Sequence, residues 1–326
     1  MGNLPTIAVC YLAGVDSTQL DERRGPSRIT EALPHHPILD MRDRTPHDLS
    51  PDEALRLNDV EFAFILDMPE WLIDSCPNLK WIHSLKTGHE HIPLPQLKER
   101  HIRLTNGAGT AATEIAEFVI ARILEHWKRF PQIATQQQEH KWYPAFGRAL
   151  GDSHIVLVGY GPINQEVARL LAPFNVRITA VRRSAATNSP GANRVMSFGE
   201  LDAALSDADA VVAAVPSNSD TTDLFNAQRF AAMKEGCFFI NVGRGTAVVE
   251  DDLIASLASQ HLGGAALDVT SEEPLPADSA LWESGARISP HSSATLANTM
   301  RRVHELFFRN IAIFASGERL QNEVDL

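Results

Sequence analysis

The sequence predicts an α/β protein of two doubly wound parallel-sheet domains, and three observations carry that expectation. Short apolar runs alternate with helical patterns, the runs fall into two series, and a long amphipathic stretch stands between the series. A chain of 326 residues is long for one ordinary domain and suits two, each able to bury its own core. The first series places strands at Ile7 to Leu12, Phe62 to Leu66, Trp81 to Leu85 and Ile102 to Thr105. The second places them at Ile155 to Val158, Arg177 to Val181, Ala210 to Val215, Phe238 to Val242 and Gly264 to Val269. Between the series, apolar residues recur at helical spacing from Ala112 to Arg129. A second helical pattern, Leu296 to Ala315, is closed by Gly317 and lies where the chain can return to the first domain. The expected division is therefore 1–104 with 292–326 for a discontinuous first domain, and 105–291 for the second.

Composition narrows the function classes. Twenty-nine Lys and Arg stand against 41 Asp and Glu, a net charge of -12 that repels phosphate backbones and anionic membranes. No nucleic acid and no membrane is expected as a partner. The three cysteines, Cys10, Cys76 and Cys237, are far apart and form no CxxC pair, which suits a reducing, cytoplasmic setting without structural zinc. No metal site is expected.

The most legible site is the run Ile155 to Val158 followed by Gly159-Tyr160-Gly161-Pro162-Ile163-Asn164, a buried strand entering a glycine turn and then a helix from Gln165 to Leu171. Gly159 permits the tight turn. Gly161 lets the backbone approach a pyrophosphate resting on the helix N-terminus, with Pro162 and Ile163 opening that helix. The second domain is thus read as a Rossmann dinucleotide-binding domain. Asn164 stands where the fingerprint carries Gly or Ala, so a looser approach of helix to strand is expected there.

The following strand ends where a ribose 2'-position would lie. Arg182 stands 23 residues after Gly159, where an NAD-specific site places an acidic residue. Arg182, Arg183 and Ser184 offer two guanidinium groups and a hydroxyl instead, a cage for a 2'-phosphate. NADP is the expected cofactor, as NADPH in preference, with NAD possible.

Three later segments carry a family likeness. Asn241-Val242-Gly243-Arg244-Gly245, then Leu267 to Pro276 with Asp268 and the pair Glu272-Glu273, then Ser289-Pro290-His291-Ser292-Ser293, resemble the three signatures of D-isomer-specific 2-hydroxyacid dehydrogenases. The order, the spacing and the upstream glycine turn agree over nearly the whole chain, and the glyoxylate/hydroxypyruvate reductase-like branch is the one implied. The resemblance also implies a flavodoxin-like substrate domain, a small 2-oxo or 2-hydroxy acid as substrate, and a homodimer.

The chemistry explains these residue types. Reducing a 2-oxo acid needs a cation to hold the carboxylate and polarise the carbonyl, a role that suits Arg244, and a proton donor for the nascent alkoxide, which suits His291. A carboxylate at the other imidazole nitrogen fixes the tautomer and favours the charged form, and the resemblance makes Glu273 that carboxylate, with Glu272 left to the surface. The resemblance also sets Asp268 on the nicotinamide side, and Pro216 and Val242 are assigned to the cofactor with it. In the first domain, Ser84 to Ile92 resembles the family loop whose amides clasp the substrate carboxylate, the donors being Lys86, Thr87 and Gly88. The neighbouring His89, Glu90 and His91 are read as solvated, because successive residues of an extended loop point opposite ways. The aromatic loop Trp142-Tyr143-Pro144 is read as a dimer or core contact. From another class, a dinucleotide-sensing binding protein of corepressor type on the same scaffold remains the alternative, since fold does not imply turnover.

Overall fold

The computed structural model describes residues 4–10, 29, 31–41, 44–183, 189–294 and 296–326. Ser184, Tyr11 and Leu12 lie outside the described residues. Two compact units result, Met1–Thr110 with Leu296–Leu326, and Ala111–Thr295.

The first unit holds a five-stranded sheet in the order β2-β1-β3-β4-β5, every pairing parallel. Its strands are β1 Thr6–Cys10, β2 Ile38–Asp40, β3 Val60–Ile65, β4 Trp81–Ser84 and β5 Arg103–Thr105. This order is the flavodoxin-like one. Strands buried on both faces need continuous apolar runs, and β1 is buried along its whole length. Successive side chains alternate between two cores. Ala8 and Cys10 join Leu72, Leu97 and Leu104 on one face. Ile7 and Val9 join Phe64, Trp81, Val303 and Phe307 on the other, where the helix Leu296–Ser316 packs.

The second unit holds a seven-stranded sheet in the order β12-β11-β10-β9-β6-β7-β8, again wholly parallel. The strands are β6 His154–Val158, β7 Arg177–Arg182, β8 Arg194–Ser197, β9 Ala210–Ala213, β10 Cys237–Asn241, β11 Leu262–Leu267 and β12 Arg287–Ile288. Winding runs outward from β6 through β7 and β8, then reverses through β9. The switch point therefore lies between β6 and β9, the place where an open α/β sheet binds ligands.

The sequence pattern misses β2, β8 and β12, three of the four edge strands of the two sheets. Each is short, and β8 and β12 have exposed positions, so no apolar run marks them. The unit crossings fall after Thr110 and Thr295 rather than at 104 and 291. Residues 105–108 stay with the first unit because the C-terminal tail holds them: Asn106 N donates to Asn322 O at 3.2 Å, and Asn322 Nδ2 to Ala108 O at 2.7 Å. Residues 292 and 293 stay with the second because their amides bond to Asp268.

One buried group of the first unit ties stability to pH. His83 is fully buried, stacked on Phe64 with ring centroids 5.5 Å apart. Its Nδ1 meets Thr105 Oγ1 at 2.6 Å, and that same oxygen accepts from Trp81 Nε1 at 2.9 Å. Burial first, and the neighbouring His304 imidazole second, push the His83 pKa down from 6.5 to about 3. The folded protein thus refuses a proton that the unfolded chain accepts. The stabilisation is complete above the unfolded value and is lost as pH falls toward 3, with a slope of up to about 1.4 kcal/mol per pH unit. Denaturant midpoints measured between about pH 6.5 and 5, above the ordinary carboxylate range, should fall on acidification, and His83→Gln should flatten that slope. The same slope in wild type and variant would assign the acid sensitivity elsewhere.

Candidate active site

Because every strand of the second unit is parallel, the loops following β6, β7, β9, β10 and β11 all open on one edge of its sheet. The glycine turn comes first. Gly159 has φ +83°, and a Cβ there would come within 2.5 Å of Ala214 O, so both conformation and space require glycine. Gly161 differs. A Cβ there would meet nothing within 4 Å, so its missing side chain leaves open the front of the helix Pro162–Leu171. Gln165 N makes the first helical bond, to Gly161 O at 3.0 Å, and no side chain caps the helix. This bare N-terminus is the cradle a pyrophosphate needs.

Asn164 holds the helix close rather than loosening it. It is fully buried, and its Nδ2 donates to Gly159 O at 2.9 Å, Val158 O at 3.2 Å and Val212 O at 3.3 Å. A polar staple to the ends of β6 and β9 thus replaces the close packing that glycine gives elsewhere.

Arg182 is the last residue of β7 and half-buried, and Arg183 follows it, exposed. Arg183 Nη2 lies 3.3 Å from Asp220 Oδ2, an acidic partner from the loop after β9 that the sequence did not announce. In that loop Pro216 is exposed and its carbonyl accepts from Thr221 Oγ1 at 2.6 Å. Val242 is buried, its amide bonded to Ala213 O at 3.0 Å.

Two glycines fix the arginine loop after β10. A Cβ on Gly243 would come within 2.7 Å of Val215 N and O, and one on Gly245 within 1.9 Å of Thr270 O. Asn241, fully buried, spans the turn: its Oδ1 accepts from Gly243 N at 3.0 Å and its Nδ2 donates to Arg244 O at 2.9 Å. Arg244 is therefore presented, half-buried, from a rigid turn, with Nη1 donating to Gly243 O at 2.9 Å.

The loop after β11 brings the glutamate to the histidine. Thr270 N donates to Glu273 Oε1 at 3.1 Å, and His291 Nδ1 meets Glu273 Oε2 at 2.7 Å. Glu272 is exposed beside them. Since Thr270 O also lies against Gly245, the arginine loop and the glutamate loop are packed on each other. His291 has φ +50°, the left-handed region that non-glycine residues seldom adopt. Asp268, only 2% exposed, accepts from Ser289 Oγ at 2.6 Å, Ser292 N at 2.9 Å and Ser293 N at 3.1 Å.

In the first unit, the loop after β4 is held against residues 106 and 107. Gly107 N donates to Lys86 O at 3.0 Å, and Asn106 Nδ2 to Thr87 O at 2.7 Å. The Lys86 amide turns inward to Ser84 Oγ at 3.2 Å, and its ammonium pairs with Asp67. Among the described residues the amides of Thr87 and Gly88 have no partner. Among them, too, no three His, Cys, Asp or Glu gather as a metal site, the His89 to His91 cluster included.

Asn241 and Ser289 were visible in the sequence as parts of motifs, but their bonds to a neighbouring loop were not. Asp220 and Asp67 carried no signal at all, since a lone acidic residue in a loop is ordinary.

Comparison with known proteins agrees with this geometry. The D-isomer specific 2-hydroxyacid dehydrogenase NAD-binding domain matches residues 120–293, more than half of the chain. A glyoxylate reductase from Thermofilum pendens is 33% identical over 258 residues, 76% of this chain and 75% of that protein. The human glyoxylate reductase/hydroxypyruvate reductase is 30% identical over 255 residues, covering 76% of this chain and 78% of its own. Among solved structures, an NADPH-dependent glyoxylate/hydroxypyruvate reductase from Sinorhizobium meliloti, in complex with NADP and sulfate, superposes with a TM-score of 0.83 at 26% identity over 98% of each chain. The sequence signatures, the two parallel sheets and the paired His291 and Glu273 thus have one explanation: the chain belongs to the D-isomer specific 2-hydroxyacid dehydrogenase family, as an NAD(P)-dependent oxidoreductase.

Proposed function

We propose that this enzyme reduces a small 2-oxo acid of the glyoxylate or hydroxypyruvate type to the D-2-hydroxy acid, using NADPH. The observation that carries the reading is the 2.7 Å contact between His291 Nδ1 and Glu273 Oε2, on a loop packed against the one that presents Arg244. When bound, the reduced nicotinamide supplies the hydride. With Glu273 holding Nδ1–H, the transferable proton sits on Nε2 of the imidazolium, and His291 delivers it to the oxygen that was the carbonyl. Arg244 offers a planar fork to the carboxylate and carbonyl together and stabilises the charge that develops. In the first unit, the amides of Thr87 and Gly88 are assigned to the substrate carboxylate, while the Lys86 amide, expected as a third donor, is spent on Ser84 Oγ.

The helix N-terminus at Pro162 and Ile163 takes the pyrophosphate, and the open space at Gly161 is the observation that fits it. Pro216, Val242 and Asp268 are assigned to the rest of the cofactor. Arg182, Arg183 and Ser184 take the 2'-phosphate, and the NADPH-dependent reductase from Sinorhizobium meliloti, solved with NADP, supports this choice. The Arg183 guanidinium is shared with Asp220, which moves weight onto Arg182.

The subunits are proposed to pair as a homodimer. The residues following the helix Ala112–Trp127 expose an unusual run of large apolar side chains, with Phe130 55%, Trp142 100%, Tyr143 68% and Phe146 85% exposed. A cytoplasmic setting is proposed with it, since Cys10, Cys76 and Cys237 are free thiols in the buried interior. No helix among the described residues is long and apolar enough to cross a membrane.

Three measurements test the reading. His291→Ala should lose about 10²-fold or more in kcat on glyoxylate or hydroxypyruvate with the fold intact; an unchanged rate would remove the mechanism. NADPH should exceed NADH by about tenfold or more in kcat/KM, and Arg182→Asp should erase or reverse that preference, whereas equal wild-type values would show the arginine cage does no selecting. Light scattering at micromolar concentration should give twice the 35.8 kDa chain mass, and a monomeric mass would overturn the dimer.

A further inference from the structure

Asp268 stands at the centre of more connections than its assignment to the cofactor requires. It directly follows β11, and its backbone joins the two loops that carry the chemistry: its amide donates to Asn241 O at 3.0 Å, and its carbonyl accepts from His291 N at 2.9 Å. Asn241 in turn spans the arginine turn. The Asp268 side chain then reaches past the histidine. Oδ1 accepts from Ser289 Oγ at 2.6 Å, Ser292 N at 2.9 Å and Ser293 N at 3.1 Å, while Oδ2 also meets Ser293 N at 3.1 Å. The donors sit on both sides of His291 in sequence.

That arrangement has a mechanical meaning. A non-glycine residue at φ +50° is held there by its surroundings, because the left-handed conformation is intrinsically unfavourable for it. The carboxylate, 2% exposed, grips the chain two residues before and one and two residues after the histidine, and so closes the turn around it. Charge-assisted bonds to a buried carboxylate are the strong kind. The His291 side chain, by contrast, is more than half exposed and makes its bond to Glu273 from the surface of the unit. Its direction is set by the backbone beneath it.

We infer that Asp268 is a positioning residue for His291, whose carboxylate clamps the Ser289 to Ser293 loop so that Nδ1 faces Glu273 and Nε2 faces outward. The inference rests on the reading of His291 as proton donor. It makes the nicotinamide-side contact that the family likeness gives Asp268 secondary to the clamp, and so predicts a loss that falls on turnover rather than on cofactor affinity.

A double-mutant cycle separates the two, using the full-length enzyme, one good 2-oxo acid and NADPH. Asp268→Ala should lower kcat by about tenfold or more, change the pH profile of kcat/KM, and leave the NADPH dissociation constant, read by fluorescence titration, within about threefold of wild type. In a His291→Ala background the same substitution should cost almost nothing further, because the residue acts through the histidine. Ser289→Ala, which removes one donor, should move kcat and the pH profile in the same direction by less. Asp268→Asn keeps the shape and one acceptor oxygen and should recover part of the rate; it carries the same cycle if Asp268→Ala does not fold. Additive losses in the His291→Ala background, or a weakened NADPH affinity with kcat and pH profile retained, would overturn the clamp and return Asp268 to a cofactor contact. Should His291→Ala alone leave turnover intact, the proton-donor reading fails instead, and that single-variant rate tells the two failures apart.

Discussion

The close approach of the loop after β10 to the loops after β9 and β11 is the constraint on which the site depends. Gly243 and Gly245 admit backbone where any Cβ would overlap carbonyl oxygens, the tighter of them at 1.9 Å from Thr270 O. With side chains absent on both sides of Arg244, the guanidinium is carried on a turn that cannot shift without moving the neighbouring strand ends. Thr270, pressed against Gly245 by its carbonyl, uses its amide to hold Glu273. Cation, carboxylate and imidazole are thereby located by backbone contacts rather than by their mutual attraction, which between half-exposed groups is weak. Preorganisation of this kind is what allows charges to stabilise a transition state without rearranging as it forms.

The same economy governs the cofactor edge. A bare helix N-terminus offers partial positive charge that needs no lysine, so even in an acidic chain of net charge -12 one point of this edge favours an anion. The staple made by Asn164 keeps that helix seated on β6 and β9 although the residue is larger than the usual glycine. The ion pair of Arg183 with Asp220 shows a different balance, since a carboxylate beside an arginine proposed to read a phosphate competes with that phosphate.

In the first unit, an aromatic face holds the core on one side of the sheet. Phe62, Phe64 and Trp81 of the sheet and Phe307 and Phe314 of the helix Leu296–Ser316 form a chain of ring contacts, with His83 and His304 embedded in it. That packing ties the C-terminal helix to strands laid down at the start of the chain, which is how a sequence interrupted by a whole second unit still forms one first unit.

Much of this was written in the sequence. Buried parallel strands require continuous apolar runs, so the interior strands of both sheets announced themselves. Glycine turns and the sequence Ser289-Pro290-His291 did so too, because close backbone approach and proton transfer admit few residue types. The edge strands β2, β8 and β12 were not legible, having too little buried surface to impose a pattern. Nor could spacing tell that Asn164 would tie a helix down, that Asp220 would meet Arg183, or that the Lys86 amide would turn to Ser84 while those of Thr87 and Gly88 met no partner among the described residues. Local composition was enough to say which residue types could do the chemistry and which runs had to be buried. Which polar atoms were already spent on neighbouring loops emerged from the folded chain alone, because hydrogen bonds between residues far apart in sequence leave no periodic trace along it.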